Sequence, residues 1–190
     1  MRVLIAEDEA LIRMDLREML VEEGHEVVGE ARDGAEAITL ARRLRPDIVF
    51  MDINMPEVSG IEAAAVLGEE RIAPVVMVTA FSQISYVRQA TEAGAMAYIV
   101  KPFSASDVLP AMAVATSRYA EASQLAEEVD DLKERLETRK AVDRAKGLLM
   151  ARGMTEPEAF KRLQKLAMDK RKTLREIAEA VVIASEAEGA

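Results

Sequence analysis

The sequence predicts an α/β chain: a doubly wound parallel sheet of five strands, then a long helical linker, then a small three-helix all-α domain. Three observations predict it. Five short apolar runs alternate with helical patterns, no polar alternation interrupts those runs, and beyond about residue 118 the periodicity is helical throughout. A strand with one face in water alternates apolar and polar residues, whereas a strand covered on both faces reads as a continuous apolar run. Helices between such runs act as crossovers, and right-handed crossovers wind the sheet both ways.

The elements follow in order. "RVLIA" is the first buried strand, and Ala10, Leu11, Met14, Leu16, Met19 and Leu20 recur at helical spacing until Gly24 closes the helix. "EVVGEA", a helix from Ala35 to about Leu44, "DIVFMD", a helix after Ser59-Gly60, "APVVMVTA", a helix from about Gln83 to Ala93, and "AYIVK" complete the alternation. Ser104 to Asp107 forms a capping-box pattern, and no strong breaker follows Pro110 for some thirty residues, so the next helix runs long. Within it Leu125, Val129, Leu132 and Leu136 step by four, three and four, the seam of a short coiled coil. Three helical patterns follow: about Arg139 to Arg152, a capped start at Thr155 running to about Asp169, and another capping box at Thr173 opening "EIAEAVVIASEA". The expected domains are residues 1–118, a linker over 119–137, and the helical domain over 138–190.

Half of the 190 residues are apolar and 31% are charged, the balance of a folded chain. There is no cysteine, which excludes disulfides, thiol nucleophiles and thiolate zinc sites. His25, the single histidine, cannot build a histidine metal site or a conventional triad, and its place between a helix and a strand suits a surface role. "MRVLIAEDEA" meets acidic residues too early for a signal peptide, and no apolar run approaches the roughly 18 residues of a membrane span. A cytoplasmic protein is expected. The net charge of −9 is unevenly spread: residues 1–118 hold 11 Lys and Arg against 19 Asp and Glu, whereas residues 133–175 hold 14 against 6. An acidic body therefore carries a basic module.

Sheets of this kind place their chemistry outside the carboxyl ends of the strands. The first strand ends in Glu7 and Asp8, the third in Asp52, the fourth in Thr79, and the fifth in Lys101 followed by Pro102. Three carboxylates at one rim repel one another unless a cation lies among them. Oxygen-only ligands point to a hard ion, and too few of them for a full calcium cage favour magnesium (Mg2+). A metal so held keeps open positions for phosphate, which suits phosphoryl transfer to a carboxylate. Asp52, at the end of the central strand, is the natural acceptor.

At these residues a resemblance is plain. "LIAEDE", "PDIVFMDINMP", "VTA" and "YIVKPF" resemble the receiver domains of two-component response regulators over about residues 1 to 118. The resemblance implies a flavodoxin-like strand order 2-1-3-4-5 and phosphorylation of Asp52 by a sensor histidine kinase. It implies magnesium among Glu7, Asp8, Asp52 and the backbone carbonyl of Asn54. It also implies Lys101 paired with the phosphoryl oxygens, a Thr79 hydroxyl donor, and Tyr98 as an aromatic switch beside Thr79. Glu7 stands where many receivers carry aspartate, and its longer arm suits contact through water. The only catalysis implied is self-phosphorylation and self-dephosphorylation, so the chain is not expected to be an enzyme acting on a metabolite.

The basic segment is amphipathic. Val142, Ala145, Leu148, Leu149, Phe160, Leu163, Leu166, Ile177, Val181 and Val182 form the expected core, with Phe160 buried, leaving a polycationic outer surface suited to nucleic acid. "RKAVDRAKGLLMARGMTEPEAFKRLQKLAMDKRKTLREIAEAVV" resembles an ANTAR domain, a family named for the AmiR and NasR antitermination regulators. That implies binding of paired stem-loops in nascent messenger RNA, which prevents a terminator hairpin from forming. Arg144, Lys146, Lys170, Arg171 and Lys172 are the expected RNA contacts by charge and placement, and a homodimer on activation is expected along the leucine seam. Two alternatives stay open at this point: a DNA-binding response regulator, and a receiver whose tail is a protein-docking bundle.

Overall fold

The computed structural model describes residues 1–80 and 93–188. They form β1 (Arg2–Ala6), α1 (Ala10–Glu22), β2 (Glu26–Ala31), α2 (Gly34–Leu44), β3 (Ile48–Asp52), α3 (Gly60–Glu69), β4 (Val75–Thr79), β5 (Ala97–Val100), α4 (Ala105–Ala151), α5 (Glu156–Lys170) and α6 (Leu174–Glu188). The helix expected from about Gln83 to Ala93 lies outside the described residues save for Ala93, which stands in a turn.

The five strands pair in parallel in the order β2-β1-β3-β4-β5. Side chains alternate across the sheet, so the inner strands β1, β3 and β4 feed two cores. Leu4, Ala6, Val49, Met51, Val75 and Met77 face α2 and α3, meeting Ala37, Ala41, Ala63, Ala64 and Leu67. Val3, Ile5, Ile48, Phe50, Val76 and Val78 face the other way, onto Leu16 and Leu20 of α1 and Val108, Met112 and Ala115 of α4. Burial on both faces of β1, β3 and β4 is the physical reason that these strands lack polar alternation, whereas the edge strands β2 and β5 are only partly buried.

Local chemistry sets the helix starts. The side chain of Asp33 accepts from Glu36 N at 2.8 Å, and Ser59 and Glu62 exchange bonds in a full capping box ahead of α3. At Ser104 the Asp107 carboxylate accepts from both the backbone N–H and the hydroxyl, at 2.9 and 2.7 Å. Gly60, at the first position of α3, has a specific steric task. A Cβ there would stand 1.8 Å from the carbonyl oxygen of Asp52, so α3 can start this close to the end of β3 only without a side chain.

The long helix departs from expectation in one respect. The first of the three terminal helices is not separate: it is the continuation of α4, which runs from Ala105 to Ala151. Between Pro110 and Gly153 no proline occurs and Gly147 is the single glycine, so nothing in the backbone ends the helix until Gly153 takes a φ of +94°.

The chain divides into two compact units, Met1–Gln124 and Leu125–Ala190. In the second, the end of α4 packs with α5 and α6 around Val142, Ala145, Leu149, Ala159, Leu163, Ile177, Ala178 and Val182. Leu148, Leu166 and Val181 are partly buried against them. Phe160 was expected in this core and is not there: it is 38% exposed, and its neighbour Ala159 is fully buried. With Leu163 four positions after Ala159 setting the inner row of α5, Phe160 is rotated about 100° away from it. No described helix is long and apolar enough to cross a membrane.

Candidate functional site

The rim of the sheet gathers the expected residues. Asp52 closes β3 and pairs in register with Val78, Thr79 closes β4 opposite Val100, and Glu7 and Lys101 directly follow β1 and β5. Glu7, Asp52 and Thr79 are buried, whereas Asp8 and Asn54 are exposed. Lys101 Nζ lies 2.7 Å from Glu7 Oε2 and 3.0 Å from Asp52 Oδ1, with Glu9 Oε1 at 3.9 Å. The other oxygen of Asp52 accepts the backbone N–H of Asn54 at 3.0 Å, and Glu7 Oε1 accepts that of Glu9 at 3.2 Å. Tyr98, by contrast, is 51% exposed on β5 and stands apart from this buried cluster.

One ammonium does not neutralise three carboxylates. Burial pushes the Asp52 carboxyl above its ordinary range; Lys101 and the Asn54 N–H pull it back, and Asp8 adds repulsion. Glu7 is raised in the same way by burial, against the pull of Lys101 and with repulsion from Asp52. For Lys101 burial works against the charge, but the bonds and attraction of the two carboxylates outweigh it and raise its pKa. The side chains of Glu7, Asp8 and Asp52 each offer an oxygen within 4.8 Å of the others. Glu7 Oε2 is buried, with the Lys101 ammonium 2.7 Å away as an ion-pair partner and no hydrogen bond of its own. An all-oxygen set with excess negative charge and a spare buried lone pair fits a small hard cation.

Two supporting residues escaped the sequence reading. Arg13 is 9% exposed on α1, donating to the carbonyls of Glu7 at 2.6 Å and Asp8 at 3.4 Å and pairing with Glu30 at 3.1 Å. It therefore braces the loop that carries both acids. Its signal was present: position 13 stands three before Leu16 and seven before Leu20, on the buried stripe of α1. Gly60 is the second, packed on the backbone of Asp52.

In the second unit the expected RNA contacts differ in accessibility. Arg144, Lys170, Arg171 and Lys172 are exposed; Arg171 ends α5 with a φ of 52°, and Lys172 lies 3.5 Å from Glu176. Lys146 is only 17% exposed at its side chain and is held by Asp143 at 2.9 Å and Glu156 at 2.8 Å, so it ties α4 to the start of α5. Lys161, Arg162, Lys165, Lys170 and Arg171 have no ion pair among the described residues.

Comparison with known proteins decides the family. The response regulator receiver domain matches residues 3–113, and the ANTAR domain matches residues 130–182. The chain belongs to the response regulators. Its sequence is 60% identical to the transcriptional regulatory protein PdtaR of Mycobacterium tuberculosis over 182 residues, 95% of this regulator and 89% of that one. The chemotaxis protein CheY of Thermotoga maritima is 43% identical over 112 residues, 58% of the regulator and 93% of CheY. Among solved structures, the CheX-CheY-BeF3-Mg+2 complex of Borrelia burgdorferi superposes with a TM-score of 0.55 at 30% identity, covering 57% of the regulator and 84% of that chain.

Proposed function

We propose that the regulator takes a phosphoryl group on Asp52 from a phosphohistidine of a PdtaS-like sensor histidine kinase and, so activated, binds paired stem-loops in nascent messenger RNA to prevent termination. The observation that carries the first half is the position of Lys101 Nζ, 2.7 Å from Glu7 and 3.0 Å from Asp52, beside a third carboxylate. In this reading residues 1–118 are the phosphoacceptor domain, 119–137 the linker and 138–190 the RNA-binding domain, all acting in the cytoplasm.

Glu7, Asp8, Asp52 and the carbonyl of Asn54 would hold magnesium, with Glu7 reaching it through water. Magnesium bound there supplies charge neutralisation for the incoming phosphoryl group and its acceptor. A carboxylate oxygen of Asp52 forms the new bond to phosphorus as the P–N bond to histidine breaks, and the imidazole leaves with the electron pair and takes up a proton. Lys101, already beside Asp52, follows the charge onto the phosphoryl oxygens, and the Thr79 hydroxyl donates to one of them. Movement of Thr79 toward the phosphate vacates space into which the outward-lying Tyr98 turns, carrying the change to the β5 and α4 face.

The output half is supported by the ANTAR match and by Lys161, Arg162, Lys165, Lys170 and Arg171, which have no ion pair among the described residues. Loop bases unstacked from their neighbours are the readable part of RNA, and the exposed Phe160 adds an aromatic face beside Lys161. Leu125, Val129, Leu132 and Leu136 are 63, 40, 63 and 52% exposed, an apolar row suited to a second copy, which would bring two modules to two stem-loops. Crosslinking to cellular RNA, with sequencing of the bound fragments from the parent and from Asp52→Asn, tests the whole reading. Stem-loops ahead of terminators should be recovered, and more strongly with Asp52 intact. Preferential recovery of duplex DNA in the same experiment would instead support a DNA-binding regulator.

A further inference from the structure

Gly147 lies inside α4, four residues before its end, on an exposed surface. A glycine in a helix interior costs stability relative to alanine, and such a cost is ordinarily explained by something that a Cβ would strike. Nothing in this chain is struck: a Cβ at Gly147 would have no atom within 4 Å among the described residues. Its backbone is also ordinary, since its φ lies outside the positive range. The bare patch therefore serves neither packing nor a turn.

Its neighbours indicate what approaches it. Lys140, Arg144, Gly147 and Ala151, spaced by four, three and four, share one exposed row of α4, with two cations ahead of two residues of minimal side chain. Beside that row a groove of about 480 Å³ runs between α4 and α6, lined by Lys140, Ala141, Arg144, Val182, Ile183 and two glutamates. Ile183 at its edge is 66% exposed, and the carboxylates of Glu137 and Glu179 are already engaged by Lys140 at 2.9 Å and Arg175 at 2.7 Å. Cations for phosphate and an apolar wall for a ring are requirements of a nucleotide held out of its stack.

We propose that one unpaired loop nucleotide seats in this groove, its sugar-phosphate lying directly on the backbone at Gly147, its phosphate held by Lys140 and Arg144, and its base against Ala141, Val182 and Ile183. The proposal rests on the RNA-binding reading above and locates its specificity. It also separates stability from function, because a methyl group at residue 147 improves the helix and obstructs the ligand.

The test uses the full chain and a pool of RNA stem-loops with randomised loops. The parent enriches a loop sequence; Gly147→Ala then melts at a higher temperature than the parent yet binds the enriched stem-loop at least tenfold more weakly, with a shallower salt slope because the phosphate no longer reaches Lys140 and Arg144. Ile183→Ser keeps the salt slope and loses preference for one loop base. Parent-like affinity in Gly147→Ala overturns the site, as does a change in its oligomeric mass by light scattering without a change in affinity, which would assign the bare patch to a protein contact. Enrichment of no loop by the parent removes the RNA reading itself and the site with it.

Discussion

At the scale of single residues, charge governs the rim of the sheet. Asp52 and Glu7 are both raised by burial, so the folded state holds protons there more tightly than the unfolded chain does. A raised carboxyl contributes stability that is present in full below its unfolded pKa and is lost as pH rises through the folded value. At neutral pH without metal, Asp52→Asn should therefore melt at a higher temperature than the parent. The gap should close as pH falls through the raised range, because the parent then becomes neutral as well. Magnesium should also narrow it, since ligand binding to the folded parent adds stability that the amide forgoes. Thermal melts in EDTA and in magnesium at several pH values measure this, and a variant less stable than the parent in EDTA at pH 7 contradicts it. The same substitution should abolish labelling by acetyl phosphate in magnesium. Labelling at parental stoichiometry would remove Asp52 as the acceptor. Arg13 acts one step further out. Arg13→Ala leaves the buried carbonyl of Glu7 and the part-buried carbonyl of Asp8 without their charged donor, at a cost of about 1–3 kcal/mol. It should also weaken magnesium binding in titration calorimetry, although Arg13 offers the metal no ligand atom.

Among the elements, the junction of β3 and α3 is the most constrained. Gly60→Ala cannot be accommodated by a side-chain rotation, because the clash is with the Asp52 carbonyl itself. Displacement of that backbone should cost about 1–3 kcal/mol in a denaturant melt and slow phosphorylation of Asp52 as well, whereas an unchanged labelling rate would show that α3 yields without moving the acceptor. Gly60 was visible in the sequence only as the start of a helix; its contact is between elements, and periodicity does not report that. Apolar runs and caps made the sheet and most helix boundaries legible, since both are set within a few residues. Thr173 and Glu176 exchange the bonds that their spacing predicts, at 2.7 and 3.2 Å. The residues that were misread depend on rotation about a helix axis. Phe160 and Ala159 are adjacent, both apolar and equally consistent with an amphipathic pattern, and only the packing of α5 decides which one turns inward. Lys146 is similar: as a letter it is another cation of the basic module, and only the approach of Glu156 from α5 makes it a brace.

At the scale of the whole molecule, a charge added to the first unit must, on the proposed reading, alter what the second can bind. The exposed row on α4 offers a route through association. Read as heptads, Val129 and Leu136 occupy a positions and Leu125 and Leu132 occupy d, with Glu128 at g and Lys133 at e. A β-branched residue at a with leucine at d favours two parallel strands, and a parallel pair sets each Glu128 toward the Lys133 of the other copy. Two heptads bury too little to hold a dimer firmly, so its population should respond to a modest bias. On the proposed reading, phosphorylation would supply one by adding roughly −1.5 to −2 charges at Asp52 and so redrawing the β5 and α4 face. With an acyl-phosphate mimic, light scattering should show the parent moving toward twice its mass. Leu132→Asn, at a position 63% exposed and therefore dispensable to the fold of one copy, should remain at single mass. Because a second module raises the effective concentration at a paired target, the same variant should lose affinity for two linked stem-loops while keeping its affinity for one. Equal loss on both targets would mean that Leu132 acts within a single module, and full affinity for the pair by a monomer would mean that phosphorylation reaches the RNA surface without association.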